Sequence, residues 1–414
     1  MPALTAIRGF KDILPKEADL WRLVEEKARE VVRRFDFSEL RPPVMERAEL
    51  FQRSLGATTD IVEKEMYTME DRGGDLITLR PEATAGLVRA LIEHNLHEGG
   101  RATKLFCLGP MFRYERPQKG RLRQFHQLDV EIFSDPGPHS DAEIIVLLHS
   151  FLSELGLPNL SIVINSLGCP ECRPAYRKSL VDFLTGRLGS LCPDCQRRLG
   201  QNPLRILDCK VGSCQEQVKD APAFPAFWCQ DCQDHFKVVR ESLEAQGLPF
   251  SLDERLVRGL DYYTRTAFEA RSGDLGSQSA VAGGGRYDGL CKELGGPDIP
   301  AIGFAAGLER LIMLMAAQDS AAGRAGPDYY VAILAPEALG PAFRLAQALR
   351  SRGLSVAADW EAGGLKSRLK RADKAGAAKA IMIGPDELAS GLATVRDLTT
   401  KGQAGLPLDK PELF

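Results

Sequence analysis

The chain has 414 residues, of which 44% are apolar and 26% charged, and its 53 basic and 56 acidic side chains leave a formal net charge of −3. At roughly 150 residues per domain this predicts two or three ordinary globular domains with ample core. No apolar run reaches the roughly 18 residues of a membrane span, and Met1 to Pro15 lacks an apolar signal core, so membrane and secreted classes are not expected. No global positive field invites nucleic acid; an RNA or phosphate partner must meet local patches.

In chain order, residues 16–35 place Leu20, Leu23, Val24, Ala28, Val31 and Phe35 at helical spacing. Phe37 to Val44 reads as extended, and Pro42-Pro43 confines it to an edge or interface. Arg80-Pro81-Glu82-Ala83-Thr84 is a polar turn opening a helix at Leu87 to Ile92, where Glu82 and Thr84 suit helix caps or the binding of an ammonium group. Leu105 to Leu108 and Phe125 to Phe133 are strands joined by a basic turn in which Arg113, Arg116, Lys119, Arg121 and Arg123 stand against Glu115. Phe125, Gln127, Asp129 and Glu131 share one strand face, with Arg113 offered toward it from the other strand. Such a face can hold a phosphate at one point and a cationic or amide-bearing ligand at another; a salt-bridged surface hairpin is the plainer alternative. Asp141 to Leu155 returns to helical spacing.

Eight of the ten cysteines fall between Cys169 and Cys232, inside a proline-punctuated segment spanning 169–249. Their use in a long chain argues for a reducing compartment. Cys169-x2-Cys172, Cys192-x2-Cys195, Cys209-x4-Cys214 and Cys229-x2-Cys232 have spacings compatible with tetrahedral zinc. Beyond them come LVRGLDYY (Leu256 to Tyr263), GGGRYDGL (Gly283 to Leu290) and Gly303 to Arg310, which leads into an apolar helix over Ala306 to Ala317. Asp319 to Pro327 is a small, polar linker. Strand and helix then alternate: Tyr329 to Leu334, Leu339 to Ser351, Leu354 to Ala358, Leu365 to Ala375 and Ala380 to Ile383, a small α/β domain with a largely parallel sheet. A second basic run, Lys366 to Lys379, is read equally as a solvated helix face.

Taken in this order the segments resemble class II aminoacyl-tRNA synthetases, and specifically the histidyl-tRNA synthetases. The helix and proline strand ending at Pro43 look like the first class motif, Phe112 to Glu131 the second and Gly303 to Arg310 the third, while LVRGLDYY and GGGRYDGL match two signatures of the histidine enzymes. The resemblance spans the chain from Gly9-Phe10-Lys11-Asp12 onward. Ala83 stands where glycine is common, and Ala305 replaces the middle glycine of the third motif.

That resemblance implies an α+β fold: an antiparallel-sheet catalytic core (1–168 and 250–318) with a mostly helical insertion (169–249), a linker (319–327) and an α/β anticodon-binding domain (328–414). It implies a cytoplasmic homodimeric ligase that joins L-histidine to ATP, releasing pyrophosphate, then passes the histidyl group to the 3′ end of tRNA(His). The alternative is a non-catalytic synthetase-like regulatory subunit of ATP phosphoribosyltransferase, a class that tends to lose LVRGLDYY and the C-terminal domain. By the same match the catalytic groups are Arg113, Arg258 and Arg310, with Arg113, Glu115, Arg121 and Arg310 on ATP. Glu82, Thr84, Gln127, Glu131, Tyr262, Tyr263 and Tyr287 hold histidine; Arg116, Gln118, Lys119 and Arg123 meet tRNA. Magnesium is expected with ATP. Many family members lack the cysteines, so no metal ligand is assigned among the site residues; reduced thiols are the favoured expectation for the insert, and structural zinc the alternative.

Overall fold

The computed structural model describes residues 3–56, 59–118, 120–157, 159–259, 262–274, 280–317 and 326–414. Two compact units divide the chain, Met1–Ala321 and Ala322–Phe414. The first contains β1 (Ser38–Glu39), β2 (Met45–Arg47), β3 (Tyr67–Glu70), β4 (Leu76–Leu79), β5 (Thr103–Phe112), β6 (Gln124–Phe133), β7 (Leu160–Ser166), β8 (Phe250–Leu252), β9 (Thr264–Ser272), β10 (Ala280–Arg286) and β11 (Ala301–Gly307). The second contains β12 (Tyr329–Ile333), β13 (Val356–Ala358), β14 (Lys379–Ile383), β15 (Leu392–Asp397) and β16 (Gln403–Pro407).

An eight-stranded sheet, ordered β1-β5-β6-β11-β10-β9-β7-β8, organises the first unit. Its interior pairs are all antiparallel; only the end pairs β1–β5 and β7–β8 are parallel. One face is covered by the helices Pro15–Arg34, Pro138–Glu154, Gln230–Ala245 and Leu308–Ala316, whose apolar stripes close over Leu128, Val130, Ile132, Phe268, Ile302 and Phe304. The expected N-terminal helix is there, with Leu20, Val24, Ala28 and Val31 buried. The proline stretch gives a two-residue strand at the sheet edge, because Pro42 and Pro43 have no N–H to extend the ladder. The helix expected from Ala306 starts at Leu308, since Ala306 and Gly307 remain paired with Leu128 and Gln127.

Residues 169–249 fold mainly as the helices Arg173–Thr185, Pro193–Gln201, Gly212–Gln217 and Gln230–Ala245, with short 3₁₀ turns between them. In the second unit the sheet order is β13-β12-β14-β15-β16. The first three strands are parallel, as the sequence alternation predicts; β15 and β16 add an antiparallel edge that the sequence reading did not foresee. The second basic run is partly neutralised within this unit. Arg368 is buried, and it and Arg371 both donate to Oδ2 of Asp359, at 2.9 and 2.7 Å.

Candidate active site

Strand period places the polar residues. Along β6, Leu128, Val130 and Ile132 enter the helix-covered core, which turns Gln127, Asp129 and Glu131 to the opposite face. Register then builds rows across the sheet. Glu131 lies opposite Gly303, followed by Gly285 and Ala267; Asp129 lies opposite Ala305, followed by Gly283 and Glu269. The centre of the face is therefore paved with glycine and alanine. This is a steric requirement: a Cβ on Gly303 would stand 1.5 Å from Oε2 of Glu131, and one on Gly283 would stand 2.4 Å from a guanidinium nitrogen of Arg258. Gly283 and Gly285 of GGGRYDGL lie in the floor of this face, on a strand and not in a phosphate-wrapping loop.

Over this floor is a cavity of about 420 Å³, lined among others by Glu82, Thr84, Gln127, Asp129, Glu131 and Tyr263. Tyr262 and Tyr287 complete its aromatic wall, with ring centroids 4.7 Å (Tyr262–Tyr263) and 5.3 Å (Tyr262–Tyr287) apart. Glu131, 2% exposed, accepts from Oγ1 of Thr84 at 2.7 Å and from the Tyr287 hydroxyl at 2.6 Å. Glu82 caps the helix Thr84–Glu93, accepting from the N–H groups of Thr84 and Ala85 at 2.8 and 2.9 Å, while still facing the cavity. Burial pushes the Asp129 and Glu131 carboxyls well above the ordinary range, and Glu82 is also raised by burial. Oε1 of Gln127, Oδ2 of Asp129 and Nε of Arg258 are buried and make no hydrogen bond among the described residues. Buried polar atoms without partners are uncommon, and their gathering around one cavity marks it as the candidate ligand site.

A second cavity of about 230 Å³ shares Gln127, Arg113 and Arg258 with the first and adds Arg310. Arg113, just past β5, donates from Nε to the Pro81 carbonyl at 2.9 Å, with its guanidinium 5.3 Å from the Phe125 ring centre. Nη1 of Arg258 meets Oε1 of Glu269 at 2.7 Å. Burial pulls that guanidinium's pKa down, but the neighbouring Tyr263 and Glu269 outweigh it and raise it. Arg310, on the first turn of Leu308–Ala316, donates to the Ala280 carbonyl; burial and the nearby Arg121 charge hold its guanidinium below the usual arginine value. Arg121 pairs with Glu115 at 2.9 Å, and both line this cavity. Cationic groups held this close favour an extended anion.

Of the residues assigned to tRNA, Arg116 and Gln118 are exposed on the loop between β5 and β6. Arg123 braces that loop, with its guanidinium 3.6 Å over the Tyr114 ring. Lys119 lies outside the described residues, as do Leu260 and Asp261 of LVRGLDYY and residues 319–325 of the expected linker. Sequence reasoning missed Glu269, which holds Arg258; the available signal was a carboxylate between the buried Phe268 and Ala270. It also missed Glu309, whose carboxylate accepts from the His126 N–H at 2.9 Å.

Carboxylates and arginines spread over an open antiparallel sheet, beside a cavity with unpartnered polar atoms, have the build of the class II aminoacyl-tRNA synthetase catalytic domain. The histidyl-tRNA synthetase family profile matches residues 9–311, and an anticodon binding domain profile matches 328–411. The chain is 52% identical over 405 residues to the histidine–tRNA ligase of Desulfosudis oleivorans, covering 98% of this chain and 96% of that protein. It is 51% identical to that of Geobacter sulfurreducens, covering 99% and 98%. Among solved structures, the apo histidyl-tRNA synthetase of Staphylococcus aureus superimposes with a TM-score of 0.84 at 33% identity, over the full length of both chains. The chain belongs to the histidyl-tRNA synthetase family.

Proposed function

We propose that this protein activates L-histidine with ATP, forming histidyl-adenylate and pyrophosphate, and then transfers histidine to the 3′ end of tRNA(His). The observation that carries the reading is the junction of the two cavities, where Arg113, Arg258 and Gln127 face both. In the first step a carboxylate attacks an α-phosphate, and two anions must be brought together. Fixed positive charge at that junction lowers the barrier. Arg113 takes the α-phosphate, Arg258 the histidine carboxylate and α-phosphate, and Arg310 and Arg121 the rest of the triphosphate, with Glu115 holding Arg121 in place. The attacking carboxylate is already ionised at neutral pH, so no general base is required. Glu115 and Glu269 line the nucleotide cavity and are oxygen donors of the kind magnesium accepts. Held there with ATP, magnesium would supply positive charge against the pyrophosphate that leaves.

Glu82, Thr84 and Gln127 take the substrate ammonium; Glu131 and Tyr263 meet the imidazole nitrogens, with Tyr287 fixing Glu131 and Tyr262 closing the wall. An aliphatic amino acid would leave these groups unpaired, and such sites discriminate by roughly 10⁴ or more. Arg116, Gln118, Lys119 and Arg123 are assigned to the tRNA acceptor end. We assign 1–168 and 250–318 to the catalytic core, 169–249 to an insertion, 319–327 to a linker and 328–414 to anticodon binding. The protein acts as a homodimer, a reading supported by the exposed Val44, Met45, Met69 and Leu76 beside the first motif. It works in the cytoplasm: none of its ten cysteines is in a disulfide, and no described helix is long and apolar enough to cross a membrane.

Histidine-dependent ATP–pyrophosphate exchange tests the reading. Exchange with histidine and none with leucine or glutamine is expected; absence of exchange would leave a binding or regulatory protein instead. Arg258→Ala lowers the exchange rate by about 10²–10³, the usual loss when a preorganised charge is removed.

A further inference from the structure

The fold gathers the eight cysteines of the insert into two separate groups: Cys169, Cys172, Cys229 and Cys232, and Cys192, Cys195, Cys209 and Cys214. Within each group all four sulfurs lie within 4.8 Å of one another. Sγ–Sγ distances are 3.5 Å for Cys169–Cys172 and 3.9 Å for Cys169–Cys229, Cys172–Cys232 and Cys192–Cys209. Disulfide sulfurs are bonded at about 2.05 Å. Four thiolates about 2.3 Å from one zinc at tetrahedral angles stand about 3.8 Å apart. Iron–sulfur clusters interpose their own sulfides and spread the cysteines wider.

Each group also contains a backbone donor aimed at sulfur. The N–H of Cys229 reaches Sγ of Cys172 at 3.1 Å, and the N–H of Cys192 reaches Sγ of Cys214 at 3.1 Å. Such donors stabilise the charge of metal-bound thiolates, as outer-shell hydrogen bonds do for metal ligands generally. We propose that the insert holds two structural zinc ions, one in each tetracysteine group, and that they have different tasks.

The first site is a clasp at the base of the insert. It ties the turn after β7 (Cys169 and Cys172) to the start of Gln230–Ala245 (Cys229 and Cys232), the helix that packs against the catalytic sheet. Its two cysteine pairs are 60 residues apart in sequence, as between Cys172 and Cys232. The second site holds the part of the insert nearest the cavities. Between and beside its ligands stand Arg198, which pairs with Asp60 at 2.7 Å, and Arg205, which donates to the Gly259 carbonyl next to Arg258. Arg205 and Asp208 line the larger cavity. Zinc at the second site positions this segment against the LVRGLDYY loop.

Full-length protein purified without chelator and analysed for zinc, iron and acid-labile sulfide tests the proposal. Two zinc ions per chain are expected, one for each group. Iron in place of zinc would overturn it, as would folded, metal-free protein whose eight clustered thiols all react promptly with a thiol reagent. The paired substitutions Cys172→Ser/Cys232→Ser and Cys195→Ser/Cys209→Ser should each remove one zinc and keep the other; loss of both or neither contradicts two independent sites. Mercurial release of zinc from the unmodified protein, read with a chromogenic chelator, gives the same count should a variant not fold. The second-site variant should show a several-fold higher KM for histidine, and the first-site variant a lower thermal midpoint with KM near that of the parent. A second-site variant that has lost its zinc and keeps the parent KM overturns the positioning role.

Discussion

At Glu131 one side chain joins deep burial to the specificity proposed for the site. Both its oxygens already accept hydrogen bonds, from Thr84 and Tyr287, yet burial and its neighbours Asp129 and Glu82 push the carboxyl well up. On the proposed assignment, the substrate ammonium beside Glu82 and an imidazole N–H donated to Glu131 lower these carboxyl pKa values again, so binding releases protons. Histidine affinity should rise with pH through the window between the ordinary carboxylate value and the raised one, while the ionised groups subtract from folding stability over the same rise. Calorimetry in buffers of different ionisation enthalpy checks the sign; proton uptake would contradict it. Glu131→Gln should flatten that dependence and weaken histidine binding by about 2 kcal/mol, the scale of a hydrogen bond to a charged group, with ATP binding little changed. Equal losses for the two ligands would remove Glu131 from the histidine site. Gly283→Ala should act through its neighbour, displacing Arg258 and lowering exchange while the thermal midpoint barely moves.

Among the elements, the end of β10 is the clearest case of a residue whose neighbourhood the sequence did not disclose. Arg286 sits inside GGGRYDGL, yet it faces away from the cavities. It is fully buried, its Nε donates to Oδ1 of Asp141 at 2.9 Å, and it also reaches Asp288 and the carbonyls of Asp135 and Gly137. Asp141 accepts on its other oxygen from Nε2 of His235 at 2.8 Å, and Nδ1 of that ring faces an Arg265 N–H at 3.2 Å, which fixes the donor on Nε2. The network joins β9, β10, Pro138–Glu154 and the last helix of the insert. Burial pushes the Asp141 carboxyl up, but the His235 hydrogen bond and the Arg286 charge prevail and hold it below the usual carboxylate value. Its stabilising effect is therefore complete above the unfolded value of about 3.9 and is lost as pH falls through the lowered one. Arg286→Met strands that charge and should cost about 3–5 kcal/mol, read as a fall in the urea midpoint. An unchanged midpoint would show the network to be dispensable.

For the whole molecule, the proposed reading puts the chemistry in the first of the two units and the tRNA contact in the second. A chain ending at Ala317 retains every residue that lines the two cavities and should keep histidine-dependent exchange. Without 326–414 it should charge tRNA at least about tenfold less well, because each 1.4 kcal/mol of lost RNA contact is a factor of ten. Undiminished charging would take the C-terminal unit out of tRNA binding.

Much of this was already legible in the residues. Helical and alternating periods located the N-terminal helix, β6 and the first three strands of the C-terminal sheet, because a half-buried element must repeat its apolar residues at its own period. The polar alternation of Gln127, Asp129 and Glu131 marked a face unsuited to a plain apolar core, which the structure turns to a cavity, and long motifs carried the family. Register was not legible. It takes pairing between distant strands to set Gly303 beside Glu131 and Gly283 beneath Arg258, so the reason for those glycines exists only across the sheet. The grouping of eight thiols as four and four has the same cause: spacing along the chain allows several partitions, and only the folded insert brings Cys169 to Cys229 and Cys192 to Cys209.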